Sequence, residues 1–289
     1  MEDTMRPMNF LTLLLLLLPV AAIAQPQTPV EEWTGKTILL IGAHPDDDHQ
    51  SHGTLAMLRD HGNEVYLVTM TTGNVGTKDP KLSRNELAQI RRQEEVDALK
   101  ALGIPKDHYF NLGYDDGRLE YADREEAIGK LVYYMRKLKP DVLFAFDPGY
   151  NYQVWHKSDH RAAGYLAADA VRAAEWRLLY EGQIIHDGLS AHRIPEFMFY
   201  GGNIEDKNIS VNISGYDDER IAAGMNYVSQ WSSGWSNYRG PNLSEYPEED
   251  QQAMRDRVTR RIVRKDGVPY ESFRYYQGPP DSMGRAPRH

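Results

Sequence analysis

Apolar positions along the chain come in short runs, each followed by an amphipathic stretch of helical period. The runs at 37–41, 65–70, 108–112, 142–146, 196–200 and 209–213 are short and apolar, and they read as strands. Between them the helix signals are explicit. Residues 51–60 form an amphipathic stretch ending at Gly62. Ser83 with Glu86 makes a capping box for a long helix to Leu102, stopped by Gly103 and Pro105. Asp123 with Glu126 opens another helix, which ends at Lys137-Leu138-Lys139-Pro140. Ser158 is placed as the N-cap of an Ala-rich helix to Ala174, and a further helix is expected over 217–228. Strands alternating with helices predict an α/β fold: a doubly wound, Rossmann-like, mostly parallel sheet with helices on both faces.

Both ends break this pattern. Residues 10–18 are almost entirely leucine, Pro19 follows, and Ala22-Ile23-Ala24 supplies small residues for cleavage. We read 1–24 as a secretory signal peptide, because the apolar stretch is shorter than the ~20 residues that span a bilayer. Export to the periplasm or the extracellular space follows, with no stable membrane anchor after signal removal. Residues 25–35 read as a linker and 36–232 as the main folded domain. Residues 233–289 are rich in Pro, Gly and aromatics. They carry one expected helix over 248–264 and read as a C-terminal extension packed on the core, not as a second domain.

Composition narrows the chemistry. The 289 residues include no cysteine, which excludes a disulfide framework, a thiolate metal site and a cysteine nucleophile. Any metal must be held by His, Asp, Glu or water. The formal charge of −9 argues against a general nucleic-acid binder.

Two clusters carry candidate chemistry. The first strand runs into His44-Pro45-Asp46-Asp47-Asp48-His49, and three adjacent carboxylates repel one another unless a cation relieves them. A solvated turn that caps the next helix is the plainer reading. The second cluster, His156-Lys157-Ser158-Asp159-His160, follows the fourth strand. With strand order 3-2-1-4-5 the first and fourth strands are neighbours whose connections diverge, and ligands bind at such a switch point. The two clusters then face each other. Two histidines and a carboxylate give a three-ligand N₂O set with an open position, the pattern of a catalytic zinc site.

These paired motifs, His44-Pro45-Asp46-Asp47 and His156-x-x-Asp159-His160, resemble the PIG-L/LmbE-like family of zinc-dependent de-N-acetylases. Weaker similarities keep register: Thr69-Met70-Thr71-Thr72-Gly73, Arg91 with Glu94, Leu112-Gly113-Tyr114-Asp115-Asp116-Gly117, and 211–230 ending Ser229-Gln230. The resemblance covers about 36–232. It implies His44, Asp47 and His160 as ligands of Zn²⁺, or of Fe²⁺ in the same set. It implies Asp46 as general base and His156 as the group that stabilises the oxyanion or protonates the leaving amine. Asp159 orients a neighbouring histidine, and Arg91 reaches the substrate. The implied activity is metal-dependent removal of acetyl from an N-acetylated amino sugar or glycoconjugate, a small molecule or an oligosaccharide.

Three departures from the family pattern bear on the sugar pocket. Asp48 stands where Glu is usual, His52-Gly53 stands for a glycine pair, and Asn74 replaces a frequent acid. His49 and His52 are candidates for the pocket or for an ordinary helix start. Arg91 has a bland alternative, a surface ion pair with Glu94 worth little. The aromatic residues Tyr150, Tyr152, Trp155, Trp231, Trp235 and Tyr238 suit sugar rings or plain packing. Two other functions remain open: a metal-dependent amidase of another conjugate, and a non-catalytic carbohydrate-binding protein.

Overall fold

Each apolar run forms a strand where the pattern places it. The computed structural model describes residues 25–149 and 158–278. The strands are β1 (Thr37–Gly42), β2 (Glu64–Thr71), β3 (Tyr109–Tyr114), β4 (Val142–Phe146), β5 (Glu196–Tyr200) and β6 (Ile209–Asn212). The helices between them are α1 (His52–Asp60), α2 (Arg84–Ala101), α3 (Arg124–Leu138), α4 (Ser158–Glu175), the short α5 (Glu181–Ile185), α6 (Asp217–Gly224) and the single turn α7 (Val228–Trp231). Both halves of the Ser83–Glu86 capping box form. At α3 the Asp123 side chain accepts from the Glu126 N–H. The helix expected over 217–228 stops at Gly224 and resumes one turn later as α7.

The sheet order is β3-β2-β1-β4-β5, all parallel, so β1 and β4 are neighbours as the switch-point argument requires. These central strands carry consecutive buried residues, Ile38 to Ile41 and Val142 to Phe146, because helices cover both faces. Each such side chain contributes ~1.5–3 kcal/mol of apolar burial. Helix α3 packs against α4, while α6 packs against α1 and α2. Gly53 permits that approach: a Cβ there would lie 2.5 Å from the Cδ1 of Ile213. Among the described residues no helix is long and apolar enough to cross a membrane. The stretch read as a signal peptide, 1–24, lies outside the described residues.

Two segments differ from the sequence reading. Residues 25–35, expected as a linker, place Val30 and Trp33 in the core, each 2% exposed. Trp33 is held there by its indole N–H to the Thr28 carbonyl and by the Asn63 amide donating to its own carbonyl. The C-terminal extension goes further than packing on the core. Its helix α8 (Glu248–Arg260) ends earlier than expected, and a hairpin follows, β7 (Val263–Lys265) and β8 (Val268–Gln277). Strand β8 pairs antiparallel with β5 on one side and with β6 on the other, so the extension completes the sheet. The Asp266-Gly267 turn, with φ of 53° and 82°, has the twist a two-residue hairpin requires.

Candidate active site

The chain leaves β1 at Gly42 and turns immediately. Asp47 sets this turn, because its Oδ2 accepts the backbone N–H of Ala43 (2.9 Å) and of His44 (2.7 Å). That leaves Oδ1 directed across the switch point, 3.1 Å from the Nε2 of His160 on the first turn of α4. The His160 ring is stacked on Phe146, the last residue of β4, with centroids 4.3 Å apart. The His44 ring sits 5.1 Å from the His160 ring and its Nδ1 lies 3.4 Å from Asp47 Oδ2. His44, Asp47 and His160 are therefore convergent and buried, with one ligand atom each close enough to share a cation.

Three observations fit a metal ion to this set. His160 Nε2 is buried and, despite its nearness to Asp47, has no partner in hydrogen-bond geometry. His44 Nε2 faces two carboxylates, Asp116 Oδ1 at 3.1 Å and Asp159 Oδ2 at 3.3 Å. A proton held on Nε2 by those acceptors leaves Nδ1 as a lone pair on the Asp47 side, the arrangement by which carboxylates fix a ligating imidazole. Finally, four carboxylates, Asp46, Asp47, Asp116 and Asp159, gather here, and the Arg91 guanidinium pairs with Asp46 alone. Burial opposes charge on His44, yet Asp47 and the hydrogen bonds to Asp116 and Asp159 raise its pKa well above 6.5. Burial likewise opposes charge on Asp47, but the two imidazoles hold its pKa well below the usual carboxylate range. Both shifts express one fact: the pocket calls for positive charge.

Asp159 accepts the backbone N–H groups of Gly117 (2.6 Å) and Leu119 (3.1 Å) as well as facing His44. Held by these two N–H groups, its Oδ2 faces the His44 ring. Asp116 faces the same ring from the β3 exit, a contact the sequence reading missed. Asp46 lies beside this set with its Oδ1 accepting from Arg91 (3.0 Å) and its Oδ2 from the Trp231 indole (3.0 Å). Burial pushes its pKa up, with Asp47 adding to the rise and Arg91 opposing it. Of the two adjacent arginines, Arg91 is the one at the site, and Arg92 lies over the Tyr109 ring. Arg91 is 4% exposed and is no surface partner of Glu94. It lines the cleft, and its guanidinium donates to the carbonyls of Pro45 and Gly73 as well as to Asp46.

The cleft holds about 390 Å³ and is lined by His44, Asp46, Arg91, Asp116, Gln230 and Trp235 among others. Trp235 comes from the extension and is 40% exposed. His49 and His52 do not line it. His52 is buried against Asp48 (2.9 Å), and Asp48 also accepts from the Tyr227 hydroxyl (3.0 Å), so the shortened acid at position 48 belongs to a buried network. His156, with Tyr150, Tyr152 and Trp155, lies outside the described residues.

Comparison with known proteins agrees with this geometry. The sequence profile of the GlcNAc-PI de-N-acetylase family, PIG-L, matches residues 39–171. A diacetylchitobiose deacetylase from Thermococcus kodakarensis is 32% identical over 197 residues, covering 68% of this chain and 70% of the relative. The chain belongs to the PIG-L/LmbE-like de-N-acetylase family. A 1D-myo-inositol 2-acetamido-2-deoxy-alpha-D-glucopyranoside deacetylase from Catenulispora acidiphila is 34% identical over 183 residues, with 53% of this chain matching 56% of that one. The chain thus spans about half the length of that relative. Among solved structures, an N,N'-diacetylchitobiose deacetylase from Pyrococcus horikoshii superposes with a TM-score of 0.72 at 29% identity, covering 90% of both chains. These relatives are deacetylases of acetamido sugars. In this PIG-L chain the profile ends within α4, so Ser229, Gln230, Trp231 and Trp235 lie beyond it.

Beneath the site, α2 buries two acids that read in the sequence as ordinary solvent-facing charges. Glu95 accepts the Asp46 N–H (2.8 Å) and Glu94 accepts the N–H (2.7 Å) and hydroxyl (2.6 Å) of Ser229. Burial pushes Glu94 up to about 7, against those hydrogen bonds and the charge of Arg91. Its ordinary value is 4.5, so between the two pH values the folded chain binds the extra proton and stability falls as pH rises. We predict that the decline in melting temperature from pH 4.5 to pH 7 is shallower in Glu94→Gln than in the parent. Identical slopes would contradict the assignment.

Proposed function

We propose that this protein is an exported, zinc-dependent hydrolase that removes the acetyl group from an N-acetylated amino sugar or glycoconjugate. The observation that carries the reading is the buried, convergent set of His44, Asp47 and His160 with Asp46 beside it at the head of a cleft. His44, Asp47 and His160 would hold the zinc, which when bound would supply Lewis acidity to the acetyl carbonyl and to a water. Asp46 takes a proton from the attacking water. Arg91 and the Trp231 indole engage one oxygen each of that carboxylate and fix its plane. Asp116 and Asp159 keep the His44 ring in one orientation and one tautomer. His156 is assigned, by the family resemblance, to the oxyanion or to the departing amine. The products are acetate and a free amine.

The cleft chemistry favours a sugar substrate. Carboxylates, an arginine and the Gln230 amide offer hydrogen bonds to hydroxyls, and the half-exposed Trp235 offers an aromatic face to ring C–H groups. The names of the relatives, a diacetylchitobiose deacetylase and acetamido-glucopyranoside deacetylases, support the same class. Export rests on the leucine run and small-residue end of 1–24. Acetate and amine released by purified protein from N-acetylglucosamine, N,N'-diacetylchitobiose and longer N-acetylated oligosaccharides are the test. Equimolar acetate and amine from at least one of them is the expected result. Bound zinc with no release from any would favour a carbohydrate-binding protein instead.

A further inference from the structure

Asp46 adopts φ 101° and ψ −8°, a left-handed conformation that a non-glycine residue holds only when its surroundings impose it. Four hydrogen bonds impose it here. The Asp46 N–H donates to Glu95 Oε2 (2.8 Å) and its carbonyl accepts from His49 Nδ1 (2.7 Å). Its carboxylate oxygens accept from Arg91 and from Trp231, each at 3.0 Å. Two of these four contacts lead into the C-terminal part of the chain. Arg261, just past α8, donates to His49 Nε2 (2.8 Å) and lays its guanidinium 4.5 Å above the Trp231 ring. The His49 ring meets Trp231 edge-on at 5.0 Å, and Arg257 donates to the Trp231 carbonyl (3.1 Å). A guanidinium only donates, so His49 accepts at Nε2 and carries its proton on Nδ1, the tautomer that donates to Asp46.

We propose that the C-terminal extension acts, through Arg261 on Trp231 and His49, as a positioning clamp that fixes the Asp46 carboxylate for proton transfer. Arg261 sets the His49 tautomer and presses the indole into place. His49 then pins the Asp46 backbone, and the indole N–H pins Oδ2. This gives the extension a role at the site beyond closing the sheet. The proposal rests on the reading of Asp46 as general base.

The test compares Trp231→Phe, Arg261→Ala and Arg261→Lys in the full zinc-loaded chain, for kcat, KM, bound zinc and melting temperature. Trp231→Phe is expected to lower kcat on the order of 10- to 100-fold, the scale of a misplaced catalytic group. KM should stay within about twofold, since only Asp46 placement changes, and bound zinc should not change. Arg261 is exposed, so Arg261→Ala leaves the core intact; it should lower kcat in the same sense, with Arg261→Lys recovering part. Because the indole acts through Asp46, adding Trp231→Phe to Asp46→Asn should cost nothing further. If the single variants keep the parent kcat, or lose it only together with zinc, the clamp is overturned. An additional loss in the double variant overturns it as well. If Asp46→Asn itself stays active, the general-base reading fails first, and the clamp falls with it.

Discussion

Asp46→Asn should lower kcat by about 10²–10⁴-fold, the range that a positioned general base supplies, while leaving zinc content unchanged. Asparagine is the informative replacement. The position is left-handed, and Asn is among the few residues that visit that region readily. Its side-chain oxygen still accepts from one of the two donors, so the loop keeps its course. What disappears is the basic lone pair. Turnover within threefold of the parent would remove Asp46 from the mechanism. Loss of zinc alongside turnover would mean that its contribution is structural.

The second large effect is expected on stability. Glu271 lies on β8 and is 4% exposed. Its Oε1 and Oε2 accept the backbone N–H groups of Gly53 (3.0 Å) and Thr54 (2.8 Å) at the start of α1, and it pairs with the buried Arg220 of α6. Glu271→Ala leaves a buried guanidinium without its counter-charge and two helix N–H groups unsatisfied. Removing one partner of a buried pair costs about 3–5 kcal/mol, and the lost caps add about 1 kcal/mol. Chemical denaturation should show a fall of that size. A loss below about 1 kcal/mol would mean that solvent reaches the pair and the account of the extension is wrong.

The central fold is legible because β1, β4 and β5 are buried on both faces and so appear as unbroken apolar runs, while α2 and α3 carry side-chain caps at their starts. The switch-point argument located the two clusters before any coordinates, since it depends only on strand order. The C-terminal hairpin was harder. Ile262 and Val263 extend the apolar spacing of α8, so the helix seems to run on. The buried face of β8 is Pro269, Glu271, Phe273 and Tyr275, and a charge at its centre hides the alternation. Asp266-Gly267 was the available signal, a two-residue turn between polar-flanked segments. Residues 25–35 mislead for a related reason: they open on Gln25-Pro26-Gln27-Thr28-Pro29, and only Val30 and Trp33 carry the packing. Within the site, Asp116, Glu94 and Glu95 were beyond reach of pattern reading. Their roles arise from contacts with His44, Ser229 and Asp46, which lie far away in sequence and at no helical spacing. Arg91 was separable from Arg92 only once the helix phase was fixed.

The central claim is that acetyl amide hydrolysis depends on a metal held by His44, Asp47 and His160. Acetate release from N,N'-diacetylchitobiose by the purified chain, measured as isolated, after chelator treatment and after zinc is returned, tests it most directly. The account predicts release that is abolished by the chelator and restored by about one equivalent of zinc. Release that persists undiminished in chain shown to be metal-free would contradict it.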